Sequence, residues 1–289
     1  MSGSTTPIDA TLLAGMPLPA ATGSKDARGR VVVVGGARAT VGAALLAGIA
    51  TLRVGAGRLT LVVDEAAATP AAVAVLEAGV LTWSQDEGCD AEALDELAGA
   101  DAVLVGPGLA DPEHSLRLLR QVVETAGPRV PLLLDAFALG VLADAPDLQD
   151  RVRGRAVLTP NGAELDRLLG EDRPDDEREA AARLAARLDA VVVAASAVAD
   201  PAGDVRAADA TTPGLGTSGS GDVLAGAVAG LLAAGLPRVD AAVWGVALHT
   251  GAGAQLSYEQ GAAGYLAREV ADALPAVRRH LAAVAHAHR

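Results

Sequence analysis

Short apolar runs alternate with stretches whose apolar positions recur every three to four residues. Arg30 to Val34 is a β-branched run that stops at Gly35-Gly36, and Val41 to Val54 then has a helical period. The same grammar predicts strands at Arg58 to Val63, Gly79 to Trp83, Asp101 to Val105, Val130 to Leu134, Ala156 to Leu158 and Ala190 to Ala194. Helices are predicted at Ala91 to Ala98, Glu113 to Thr125, Gly162 to Leu169 and Arg178 to Leu188, with three more helical segments after a long glycine loop. Continuously apolar strands alternating with helices imply an α/β fold whose mostly parallel sheet is covered on both faces. No repeat of fixed period interrupts it. Residues 1–24 lack either period and are expected to form a flexible segment or an edge-packing arm, leaving one domain over 25–289. The turn-rich stretch Asp200 to Asp204 and the acidic run Glu171 to Glu179 read as solvated connections.

Composition narrows the partners. Of 289 residues 51% are hydrophobic but only 2% aromatic, so the core must be packed from small aliphatic side chains. The net charge of −13 excludes nucleic acid and anionic membranes as partners of the surface as a whole, because both are held by cations. A polyanionic ligand must therefore be held locally. Pro17 and Pro19 interrupt the only apolar stretch near the start, and Val223 to Leu236 is too short to span a bilayer, so a cytoplasmic protein is expected. The single cysteine, Cys89, permits no internal disulfide and reads as a buried, inert thiol. His280, His286 and His288 near the C-terminus read as an exposed helix end, not a metal site.

The strongest chemical signal is Thr217-Ser218-Gly219-Ser220-Gly221-Asp222, a glycine-rich loop running directly into an apolar helix. Such a junction aims free backbone N–H groups and the positive helix end at one spot, an anion hole built from Gly219, Ser220 and Gly221. Gly214, Gly216, Gly219 and Gly221 carry a heavy entropic cost unless something approaches the backbone closely. Asp222 stands in the first turn, where it caps its own helix or takes a proton from a hydroxyl that attacks the bound phosphate. Asp135, at a strand end, is placed where open α/β sheets gather ligands. His249, Trp83 and Trp244 read as packing residues.

These motifs, in order, resemble the ribokinase-like superfamily and, within it, the ADP- or ATP-dependent NAD(P)H-hydrate dehydratases. The resemblance is carried by Gly35-Gly36 with Gly42-Ala43-Ala44, by Arg53-Val54-Gly55-Ala56-Gly57, by Val105-Gly106-Pro107-Gly108, by Thr159-Pro160-Asn161 with Glu164, by Gly216 to Gly226, and by Leu248-His249. Lys25, the only lysine, also falls where the family pattern has one.

The resemblance implies a ribokinase-like three-layer α/β/α fold and a cofactor-repair reaction, the dehydration of (S)-NAD(P)H-hydrate to NAD(P)H with ADP giving AMP and phosphate. It implies Asp222 as the catalytic base, Ala43, Gly108, Asn161 and Asp222 on the hydrated dinucleotide, and Gly221 with the segment Ala195, Ser196, Ala197, Val198 and Ala199 on the nucleotide. ADP or ATP with Mg2+ would be the cofactors, without metal ligands identified. A homo-oligomer, a tetramer among the arrangements, and an NAD(P)H-hydrate epimerase as functional partner are likewise implied. Three positions depart from the pattern. Phe137 replaces the second aspartate of an Asp-Ala-Asp motif, Ala195-Ser196 replaces a Lys-Gly, and Asn161 stands where histidine is frequent. Loss of a cation beside a nucleotide phosphate costs roughly 1.5–3 kcal/mol. Two other readings use the same loop: a sugar or pyrimidine kinase, which would release a phosphorylated product, and a non-catalytic nucleotide-binding paralogue. A Rossmann reading of Gly35 to Gly42 fails on glycine spacing.

Overall fold

The computed structural model describes residues 5–19, 23–209 and 212–288. The chain opens with β1 (Thr6–Pro7) and α1 (Ala10–Ala14), then runs β2 (Arg30–Val34), α2 (Val41–Arg53), β3 (Arg58–Asp64), α3 (Ala68–Ala74), β4 (Gly79–Ser84) and β5 (Gly88–Cys89). Next come α4 (Ala91–Ala98), β6 (Ala102–Val105), α5 (Pro112–Thr125), β7 (Leu132–Leu134), α6 (Phe137–Ala143), α7 (Pro146–Val152), β8 (Ala156–Leu158), α8 (Gly162–Leu169) and α9 (Glu177–Leu188). The last third comprises β9 (Val191–Ala194), β10 (Ala197–Ala199), β11 (Val205–Ala207), α10 (Ser220–Ala233), α11 (Arg238–Gln260) and α12 (Ala267–Ala287).

The strands form one sheet in the order β1-β11-β10-β9-β8-β7-β6-β2-β3-β4-β5. From β9 across to β4 every pairing is parallel, and antiparallel pairs occur only towards the edges, at β9/β10, β10/β11 and β4/β5. Strand residues divide by parity between two cores. Val31, Val33, Leu61 and Leu104 face α2, α10, α11 and α12, whereas Val32, Val34, Val62 and Val103 face the layer built from α4 to α9. This is the three-layer α/β/α architecture that the continuous apolar runs require. Small residues let the helices on the first face approach closely. A Cβ on Gly226 of α10 would lie 2.0 Å from the Ala47 carbonyl oxygen of α2, a separation no side chain tolerates.

Of the two expectations for the N-terminal segment, a flexible segment or an edge-packing arm, residues 5–19 take the second. Within residues 5–19, β1 pairs in parallel with β11, Asp9 caps α1 by accepting from the Leu12 amide, and Leu13 is 2% exposed. Trp244 Nε1 donates to the Met16 carbonyl at 2.6 Å. The physical reason is that β11 presents an open ladder edge, and the apolar Ile8, Leu12 and Leu13 cover the core beside it. Asp200–Asp204 is indeed a turn, its Asp200 carboxylate accepting from the Ala202 and Asp204 amides, but β10 and β11 flank it as an unforeseen hairpin. Cys89 is buried and its thiol is pushed up to about 12, mainly by burial, which makes it inert at neutral pH. Among the described residues no helix is long and apolar enough to cross a membrane.

Candidate active site

Strand order decides where the site lies. The chain leaves β2 towards β3 and β4, then returns to place β6 on the other side of β2, so the crevice outside the carboxyl ends of β2 and β6 is the topological switch point. The two loops that line it are bonded together. Gly36 N donates to Pro107 O at 2.8 Å, Ala37 N to Gly108 O at 2.9 Å, and Thr40 Oγ1 to Gly108 O at 2.6 Å. Because the Thr40 hydroxyl is spent on Gly108, it leaves α2 without a side-chain cap. A Cβ on Gly108 would be 3.3 Å from the Ala43 Cβ, so these two expected dinucleotide contacts are neighbours.

The glycine loop meets this crevice through Leu46, one turn along α2 from Ala43. Gly219, with φ of 87°, is the uncapped N-cap of α10, and a Cβ there would lie 2.5 Å from Leu46 Cδ1. Gly221 faces open space. The amides of Gly219, Gly221 and Asp222 have no partner among the described residues, which is the free-donor arrangement an anion needs. Ser220 departs from the expected anion hole. Its amide donates to the Thr217 carbonyl at 3.2 Å, and its side chain turns inward, with Oγ 2.8 Å from His249 Nε2. The tight turn that closes on Thr217 is what removes this donor. His249 Nε2 also lies 3.0 Å from the Ser220 carbonyl oxygen. Burial pulls the His249 pKa down to about 4, so it is a neutral bracket behind the turn.

Three carboxyl groups gather on this face. Asp222 is half-buried and burial pushes its pKa up to about 6. Asp135, at the end of β7, is 7% exposed, and Thr159 Oγ1 donates to its Oδ1 at 2.7 Å. Burial, followed by the charges of Asp222 and Glu164, pushes its pKa up to about 7. The next residue, Ala136, has φ 48° and ψ −127°, a strained conformation for a residue with a Cβ. Phe137 packs into the second core and does not offer a polar group to the crevice. Asn161 and Glu164 form a reciprocal cap on α8, with Glu164 N to Asn161 Oδ1 at 3.0 Å and Asn161 N to Glu164 Oε2 at 2.8 Å. The Asn161 carbonyl is thus engaged, leaving its NH2 group for a ligand.

Ala195 and Ser196 are the two-residue turn between β9 and β10, at the same end of the sheet, both with positive φ of 49° and 55°. The side chains of Ala197, Val198 and Ala199 are buried in the sheet, so the tip alone offers side chains to a ligand. Among the described residues no three His, Cys, Asp or Glu side chains converge as a metal cage. A separate cavity of about 700 Å³ opens at the amino ends of the strands, lined by Arg129, Arg155 and Arg238 among others. The Arg155 guanidinium there is bonded to the carbonyls of Val123, Ala126 and Gly127. The structure brings Asp135 and His249 to this face as well. The strand-end placement signalled the former, and nothing in the sequence signalled that His249 touches Ser220.

Comparison with known proteins agrees with this fold. Residues 31–276 match the family model described as NAD(P)H-hydrate dehydratase. An ADP-dependent (S)-NAD(P)H-hydrate dehydratase of Xanthomonas campestris is 38% identical over 281 residues, covering 93% of this chain and 95% of the relative. A bifunctional NAD(P)H-hydrate repair enzyme of Escherichia coli is 34% identical over 88% of this chain, but the chain spans 48% of that longer protein. Among solved structures, a ribokinase-like superfamily protein of Enterococcus faecalis superposes with a TM-score of 0.83 at 25% identity, covering 96% of both chains. The ADP/ATP-dependent NAD(P)H-hydrate dehydratase of Bacillus subtilis, co-crystallized with ATP/Mg2+, shares the fold with a TM-score of 0.78 at 24% identity, over 97% of this chain and all of that one.

Proposed function

The chain belongs to the NAD(P)H-hydrate dehydratase family, and from that premise we propose that the crevice at β2 and β6 holds hydrated NADH or NADPH while the α10 turn holds the phosphoryl group of ADP. The protein is a nucleotide-dependent lyase that restores reduced nicotinamide cofactors. The observation that carries the site assignment is the placement of Asp222 in the same helical turn as the free amides of Gly219 and Gly221.

On this reading Asp222 takes the proton of the substrate hydroxyl as that oxygen attacks the terminal phosphorus of ADP and AMP departs. The free amides hold the charge on the transferring group, which is stabilised most where water is excluded. The carbon–oxygen bond then breaks, phosphate leaves, the neighbouring carbon gives up its proton and the ring double bond returns. Asn161 NH2, Ala43 and Gly108 orient the dinucleotide, and the Ala195–Ser196 tip with Gly221 borders the nucleotide. Magnesium would ride on the nucleotide phosphates facing Asp135 and Asp222, which suits a site with carboxylates but no complete protein cage, and it would neutralise phosphate charge. An epimerase that interconverts the hydrate's stereoisomers is the fitting functional partner, since the longer repair enzymes are named as bifunctional. A homo-oligomer and a cytoplasmic setting, where reduced nicotinamide and ADP occur together, complete the reading.

Product analysis tests it. With hydrated NADH and ADP the protein is expected to release AMP, free phosphate and NADH in equal amounts. A stable phosphorylated product would instead identify a kinase, and nucleotide binding without consumption a non-catalytic relative.

A further inference from the structure

The candidate site must accept two polyanions, a dinucleotide and a nucleotide, in a chain of net charge −13, and Asp135, Glu164 and Asp222 already stand on its face. Cations are scarce there. The loops that follow β2 (35–40), β6 (106–111), β7 (135–136), β8 (159–161) and β9 (195–196), with the loop before α10 (212–219), contain a single lysine or arginine, Arg38. Lys25 lies before β2 at the opposite end of the sheet.

Arg38 is exposed, and among the described residues it has neither an ion pair nor a hydrogen bond. Most other arginines near carboxylates are committed, as Arg53 is to Asp272, Arg167 to Asp144 and Arg206 to Asp200. The loop that carries Arg38 is nevertheless fixed. Gly36 and Ala37 on one side and Thr40 on the other are bonded to Pro107 and Gly108. This loop, bonded to Pro107 and Gly108, therefore carries an exposed and unspent guanidinium on Arg38.

We propose that Arg38 is a specificity-determining residue that binds the pyrophosphate of the dinucleotide substrate, supplying the one cation that these loops carry. A guanidinium offers a planar fork of donors matched to phosphate oxygens, and an arginine with no internal partner loses none on binding. The assignment to the dinucleotide and not to ADP follows from the loop's bonds to Pro107 and Gly108. This inference rests on the dehydratase reading, and the two fail separately.

The test compares wild type, Arg38→Ala and Arg38→Lys in turnover of hydrated NADH with ADP, alongside binding of NADH by its fluorescence and of ADP by calorimetry. Arg38→Ala is expected to raise KM for the hydrate and Kd for NADH about ten- to a hundredfold, leaving kcat within about threefold and ADP affinity within about twofold. Arg38→Lys should recover much of the loss at low salt and less at high salt. Equal NADH affinity in wild type and Arg38→Ala, or an equal loss of ADP affinity, overturns the proposal. A wild type that binds NADH through Arg38 yet never turns over the hydrate refutes the dehydratase reading alone. Failure of wild type to bind NADH overturns both.

Discussion

Asp222 was legible from its sequence context because a glycine-rich loop entering an apolar helix has one chief chemical use, and the structure keeps the free amides beside it. Its protonation was not legible, since burial depends on the whole fold. With a pKa pushed up to about 6, the carboxylate is available as a base only above that pH. The acid limb of kcat/KM, which reports the free enzyme, should therefore fall tenfold per pH unit below about 6; a limb near pH 4 would contradict the assignment. Ser220 shows the limit of motif reasoning. A serine in such a loop looks like another anion donor, but a turn to Thr217 and a contact with His249 direct it inward. Buried behind Ser220, His249 is thus placed to position the turn. His249→Ala should lower kcat about ten- to a hundredfold with little change in substrate KM, and His249→Gln, which can still donate to the Ser220 carbonyl, should restore part of it. A proportionate loss in both variants, or a change confined to KM, would refute that role.

At the scale of elements, the long periodic segments were readable because apolar period and flanking glycines agree there. α4, β8 and α8 fall where the pattern put them. The β9–β10 hairpin was hidden because its turn is Ala195-Ser196, and a two-residue turn with both φ positive is ordinarily announced by Asn-Gly or a similar pair. The short helices α6 and α7 escaped because each has only seven residues, too few to establish a period. The unusual hairpin has an energetic consequence. Substituting Asn-Gly at 195–196 relieves two left-handed residues and should stabilise the protein by about 1–2 kcal/mol, read as a Tm rise of a few degrees. No rise, or a fall, would mean that the turn draws support from surroundings not evident in its geometry.

For the whole molecule, the alternation of strands and helices predicted the parallel sheet, but not the strand order, which depends on long-range pairing. That order is what places the β2 and β6 loops at the switch point and lets α2 reach α10 through Leu46 and Gly219. The N-terminal arm illustrates the same limit, since an aperiodic segment reveals its place only when the open edge of β11 exists to receive it. The molecule is thus a scaffold that brings the β2/β6 crevice and the α10 turn, separated by more than a hundred residues of sequence, to one end of its sheet. The most direct test of this account follows the return of reduced-nicotinamide absorbance from hydrated NADH, with ADP and magnesium, for wild type and Asp222→Ala, while ADP binding is measured on both. The account predicts nucleotide-dependent recovery by wild type and a loss of about a hundredfold or more in a variant that still binds ADP. Recovery undiminished by Asp222→Ala, or absent from a wild type that binds ADP, would contradict it.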